Sequence, residues 1–283
     1  MSQTNNLQNF NLRIIPWFTD GCSTFLANLL KWLPKLLGKR LSVLEFGGGN
    51  STFFFLSKGV RVISVESDHD YVQFLTNVAL NTGFSVSAFN TLDEYAASGS
   101  QYDLSIIIAK KLADIPNIIS QVDADIIVND GISRREVLED IIKICPNSIV
   151  ILDNVEYSAN WGRLDRTSGK PDLIKVYRSF LRSTNWRTYI FEQSEGRQGR
   201  GVADKAGWES PHRWMSAISW PKDHRLQDLI ITNLGFPVVN AQGVNDSDLE
   251  SLGDRSPFDW DTMKWLCEPF PAELDLGLDR DYN

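Results

Sequence analysis

Apolar positions along this chain fall into two kinds of pattern. Residues 41–46, 60–65, 124–129 and 149–152 are short, nearly unbroken apolar runs, as strands covered on both faces require. Residues 84–89 alternate as a further strand, and 102–109 form another apolar run. Between these lie stripes at helical spacing. In 24–37 the stripe is Phe25, Leu26, Leu29, Leu30 and Leu33, with Pro34 placed to kink or break it. In 68–81 it is Tyr71, Val72, Leu75, Val78 and Ala79, stopped by Gly83. In 130–145 it is Val137, Leu138, Ile141, Ile142 and Ile144. Strands alternating with helices predict an α/β fold with a doubly wound, mostly parallel sheet. Both 102–109 and 124–129 suit a fourth strand. The second is preferred because Asp130-Gly131 follows it, which makes 101–121 an inserted strand and helix.

Beyond 152, residues 172–183 are amphipathic, and 186–191 and 213–220 read as two closing strands. The glycine- and charge-rich stretch between them reads as a long loop. From 221 the chain departs from a minimal version of such a fold: residues 240–257 are rich in Asn, Asp, Ser and Gly, Trp260 and Trp265 follow, and the stretch reads as an irregular, aromatic extension. The expected organisation is therefore an N-terminal segment with helices over 1–40, the sheet domain over 41–220 and the extension over 221–283.

One stretch carries candidate chemistry. The run 41–46 ends at Gly47-Gly48-Gly49, and Asn50, Ser51 and Thr52 then stand where a helix N-cap belongs, before Phe53 to Leu56. Strand, glycine turn and helix start let a ligand approach bare backbone and free N–H groups. Glu45 lies inside the first run, where an unpaired carboxylate is costly. Glu66 ends the second run, nineteen residues beyond Gly47 (66 minus 47), where nucleotide-binding units place an acid on the ribose. A glycine turn flanked by two acids suits a ligand with an amine at one end and a ribose at the other. A dinucleotide fingerprint would put Gly at 52, where this chain has Thr52.

Composition narrows the partners. The 283 residues carry a net charge of -8, so a basic surface for DNA or RNA is not expected. Cys22, Cys145 and Cys267 are widely spaced and odd in number, which supports neither a disulfide framework nor a thiolate zinc site. No apolar run nears the roughly 20 residues of a membrane span. The first eleven residues lack a signal-peptide pattern, so a reducing, cytoplasmic setting is the expectation.

The residues 43–52 (VLEFGGGNST), followed by 61–68 (RVISVESD), resemble the first two motifs of class I S-adenosylmethionine-dependent methyltransferases. That resemblance implies a Rossmann-like sheet closed by an antiparallel hairpin, with S-adenosylmethionine as cofactor. It also implies donor contacts from Glu45, Gly47, Gly48, Gly49, Asn50, Ser51, Thr52 and Glu66, and an adenine-facing Asn90 or Asp93. A second, narrower likeness is to metal-dependent O-methyltransferases. It would make Asp130, Asp153 and Asn154 oxygen ligands of Mg²⁺ or Ca²⁺ at two strand ends. Asp130 alone could otherwise serve as general base, or bind the donor, and Asp-Gly and Asp-Asn are also ordinary turn and cap pairs.

The expected activity is methyl transfer to a small-molecule acceptor, most simply an oxygen. The basic loop residues Arg163, Arg166, Lys170, Arg197, Arg200, Lys205, His212 and Arg213 suit either solvent or an anionic acceptor. Two other readings stay open: an NAD(P)-dependent oxidoreductase and a non-catalytic Rossmann-like binding module.

Overall fold

The computed structural model describes residues 18–109, 111–131, 134–144, 147–153, 155, 180, 183, 185–193, 214–226 and 238–240. Among these, the chain forms two compact units. One holds residues 33–150, and the other holds 18–32 and those from 151 onward.

Helix α1 (Asp20–Leu37) comes first and runs through Pro34 without a break. It stops at Gly38, whose φ of 67° is the left-handed end that glycine allows, with Lys39 N–H donating back to Pro34 O at 3.2 Å. In the first unit follow β1 (Ser42–Phe46), α2 (Asn50–Ser57), β2 (Arg61–Glu66), α3 (His69–Asn81) and β3 (Val86–Phe89). Then come α4 (Leu92–Ser98), β4 (Leu104–Ile108), α5 (Ile115–Gln121), β5 (Ile126–Asn129) and α6 (Arg134–Ile144). The strands stand in the order β3-β4-β2-β1-β5, all parallel. Every residue of β1, β4 and β5 is buried, which is why their sequences show no polar alternation.

Both candidates for the fourth strand are strands, in different places. Residues 126–129 pair with β1, whereas 104–108 slot between β2 and β3. The insertion therefore sits inside the sheet rather than at its border.

The rim of the sheet at the strand starts is fastened by charge. Lys39 Nζ lies 2.9 Å from Asp125 Oδ1, and Asp125 Oδ2 accepts from Ser42 N–H at 2.9 Å. Arg40 Nη2 lies 2.8 Å from Asp103 Oδ1, and Asp103 Oδ2 accepts from the Ser85 amide and hydroxyl. Pairs whose cation is this open to solvent contribute about 1 kcal/mol or less each. Helix α2 contributes more: Phe53 to Leu56 are all buried, and each such side chain is worth about 1.5–3 kcal/mol over an exposed one.

Strand β6 (Ile149–Leu152) spans the boundary between the units in sequence. The second unit then has β7 (Trp186–Gln193) and β8 (Trp214–Pro221), antiparallel with Thr188 opposite Ser219 and their hydroxyls 2.8 Å apart. Tyr189 and Trp220 stack at 5.4 Å. A short β9 (Val238–Asn240), not foreseen in the sequence, pairs antiparallel with β7. The chain is thus an α/β protein with a mostly parallel sheet and an antiparallel C-terminal hairpin. The helix expected at 172–183 and most of the extension expected from 221 lie outside the described residues.

Candidate active site

Parallel strands end on one side of their sheet, and ligands of such folds bind there. In the first unit the ends of β1, β2, β4 and β5 enclose an open cleft of about 760 Å³. That volume lies within the usual range of small-molecule sites. Phe46 to Ser51 form one wall; Val65 to Asp68 and Tyr71 form a second. Ala109, Lys111 and Ile115 come from the β4 end, and Asp130, Gly131, Arg134 and Val137 from the β5 end.

The glycine turn is shaped by close approach. Gly47 has φ 91°, and a Cβ there would meet Gly131 Cα at 2.7 Å. In return, a Cβ on Gly131 would meet Phe46 O at 2.9 Å. The turns after β1 and β5 thus touch through bare backbone, and Asp130 N–H donates to Phe46 O at 3.2 Å. A Cβ on Gly48 would meet Ser64 Oγ at 2.6 Å and Glu66 Oε1 at 2.9 Å.

The N–H groups of the turn are already engaged. Gly47 N–H donates to Val65 O, Gly48 N–H to Glu66 Oε1, and Gly49 N–H to Thr52 Oγ1 at 2.8 Å. Gly49 is the N-cap of α2, and Thr52, in the first turn, supplies the oxygen that caps it. Thr52 then donates to Glu45 Oε2 at 2.5 Å.

Glu45 does not line the cleft. It is 0% exposed behind the turn, and its Oε1 has no hydrogen-bond partner. Burial pushes its carboxyl up to about 8, against the opposing pull of the Ser51 and Thr52 hydroxyls. Glu66 does line the cleft. Burial raises its carboxyl as well, opposed by the Gly48 N–H and the Ser64 hydroxyl.

These shifts predict a pH dependence. Glu45 titrates near 4.5 in an unfolded chain and near 8 here, so the folded protein keeps a proton that the unfolded chain releases between those values. Its contribution is fullest below pH 4.5 and is lost as pH rises to about 8; Glu66 acts in the same sense. Thermal melts from pH 5 to pH 8 are expected to show Glu45→Gln losing less stability than the parent over that range. The difference should be up to roughly 4 kcal/mol. Parallel curves for the two proteins would contradict it.

Tyr71 on α3 is a site residue that sequence reading placed only in a helix stripe. Its hydroxyl donates to Gly48 O at 2.9 Å, and its ring stacks on Phe74 at 5.6 Å. Its phenol is pushed up to about 12 by burial and by the charges of Glu66, Glu45 and Asp130. Acids therefore dominate the field at this wall of the cleft.

Asp130 lines the cleft, and Arg134 Nη2, one helical turn on, lies 2.6 Å from its Oδ1. Asp153 is buried and accepts from Ser216 Oγ at 3.0 Å. Asn154 and the basic residues expected in the later loops lie outside the described residues. Among the described residues no group of three His, Cys, Asp or Glu side chains could hold a metal ion. Of the three expected ligands, Asp130 is already engaged by the Arg134 guanidinium, a poor neighbour for a divalent cation at that carboxylate. Asn90 and Asp93 do not reach the cleft: β3 is separated from β2 by β4, so the strand end beside β2 is that of β4. Among the described residues no helix is long and apolar enough to cross a membrane.

No family model matches the chain, and no curated protein matches it. Solved structures do. Cofactor-bound Rv0187 from MTB is 15% identical, with 74% of this chain and 84% of that one covered and a TM-score of 0.42. SAH-bound methyltransferase PaMTH1 from Podospora anserina is 11% identical over 69% of this chain and 77% of that one, at a TM-score of 0.35. The bifunctional kinase-methyltransferase WbdD is 11% identical over 68% of this chain, at a TM-score of 0.41. The match spans only 37% of that WbdD chain. At such identities and scores these likenesses carry no argument about substrate or activity.

Proposed function

We propose that this chain is an S-adenosylmethionine-dependent methyltransferase acting on a small-molecule acceptor, with oxygen as the methylated atom. The observation that carries the reading is the orientation of the glycine turn. Its N–H groups turn inward onto Val65 O, Glu66 and Thr52, and acids face the cleft. A pyrophosphate needs such N–H groups and is repelled by Glu66 and Asp68. A nucleoside with a cationic substituent gains from both acids.

The residues fit such a donor in outline. Glu66 would accept the ribose hydroxyls, and Gly49, Asn50 and Ser51 would border the cationic end. Glu45 would act from behind the turn, through Thr52, rather than by contact. Bound there, the donor would supply an already activated methyl group. The chain has then to align an acceptor and exclude water. Ala109, Ile115 and Val137 give the cleft apolar wall. Asp130 would take the acceptor's proton, with Arg134 holding its carboxylate in orientation.

Titration calorimetry with S-adenosylhomocysteine and, separately, NAD tests the reading. Saturable binding of the first at micromolar or tighter affinity, with none of the second, is the expected result. The reverse order of preference would replace the methyltransferase with an oxidoreductase. Binding without methylation of any panel of hydroxyl acceptors would leave a binding module.

A further inference from the structure

Strand β2 carries one hydroxyl in its buried, otherwise apolar interior. Ser64 is 0% exposed, flanked by buried Ile63 and Val65 in a strand otherwise chosen for apolar burial. A buried hydroxyl costs free energy unless it is hydrogen-bonded. In a strand, residues two apart share a face, so Ser64 and Glu66 project on the same side. Ser64 Oγ donates to Glu66 Oε1 at 3.3 Å, and the same oxygen accepts from Gly48 N–H. Gly48 permits this, because a side chain there would strike both Ser64 Oγ and Glu66 Oε1.

We propose that Ser64 is a positioning residue that commits Glu66 Oε1 to the glycine turn and leaves Oε2 for a vicinal diol, so that the cleft selects ribose over dideoxyribose ligands. The proposal rests on the assignment of Glu66 to a ribose. Two donors on one oxygen leave the carboxylate little freedom to rotate. Without the Ser64 hydroxyl, Glu66 hangs on Gly48 N–H alone, and both its orientation and its ionised form lose support.

The test compares S-adenosylhomocysteine with its 2′,3′-dideoxy analogue by calorimetry, on the parent protein, Ser64→Ala and Ser64→Cys. Ser64→Cys keeps the volume with only a weak donor, so the result does not depend on how well the alanine variant folds. The expected result is a loss of about tenfold for the ribose ligand in both variants, with less than about twofold for the dideoxy analogue. Equal losses for the two ligands would make Ser64 merely structural, and no loss for either would remove its role; each overturns the proposal. A parent protein that binds neither ligand fails at the earlier step and overturns the ribose assignment itself.

Discussion

Gly47→Ala is expected to destabilise the protein by about 3 kcal/mol and to abolish ligand binding in the cleft. Two costs add. At φ 91° an L side chain is strained, by about 1–2 kcal/mol. The new Cβ would also lie 2.7 Å from Gly131 Cα, a backbone atom that cannot rotate away. Gly59 provides the control: its φ is 76°, and nothing lies within 4 Å of where a Cβ would stand. Gly59→Ala should therefore cost only the strain, about 1–2 kcal/mol. Urea unfolding of both variants separates the two costs. Equal losses would mean that the contact between the two turns is unimportant.

Glu66→Ala is the second large effect. It removes the acceptor proposed for two ribose hydroxyls and leaves Gly48 N–H without its partner. Hydrogen bonds to a charged group are worth about 1.5–3 kcal/mol each, so affinity for S-adenosylhomocysteine should fall by about 100-fold or more. The fold should survive, because the variant also removes a carboxylate that burial penalises. Calorimetry gives the affinity and a thermal melt confirms folding. An unchanged affinity in a folded variant would end the nucleoside assignment.

The centre of the fold was legible because it is local. An apolar run, three glycines and a second run ending in an acid define β1, α2 and β2 within 26 residues (66 minus 41, counted inclusively), and the structure places them so. The closing strands, expected over 186–191 and 213–220, were legible as local segments for the same reason. Strand order was not, since parallel neighbours carry no pattern that says which runs lie side by side. That is why the place of 104–108 between β2 and β3 emerged only from the structure, and with it the exclusion of Asn90 and Asp93. Glu45 and Glu66 both read as acids flanking one turn, Glu45 inside its run and Glu66 at the end of its own, and both were expected to touch the ligand. They differ because Glu45 lies within β1, beneath the turn, whereas Glu66 lies at the end of β2. Tyr71, Lys111 and Gly131 reach the cleft only through topology. Ser64 did leave a signal: a lone hydroxyl in an apolar strand, two residues before the acid.

The placement of β4 also has a consequence for synthesis. A ribosome delivers β3 before the strand that is its neighbour in the sheet, and β2 must meanwhile wait with one edge unpaired. Two exposed edges invite each other, or a foreign strand, to pair. Nascent chain of this protein must keep that seat vacant until residues 104–108 emerge, so its assembly cannot proceed simply in the order of translation.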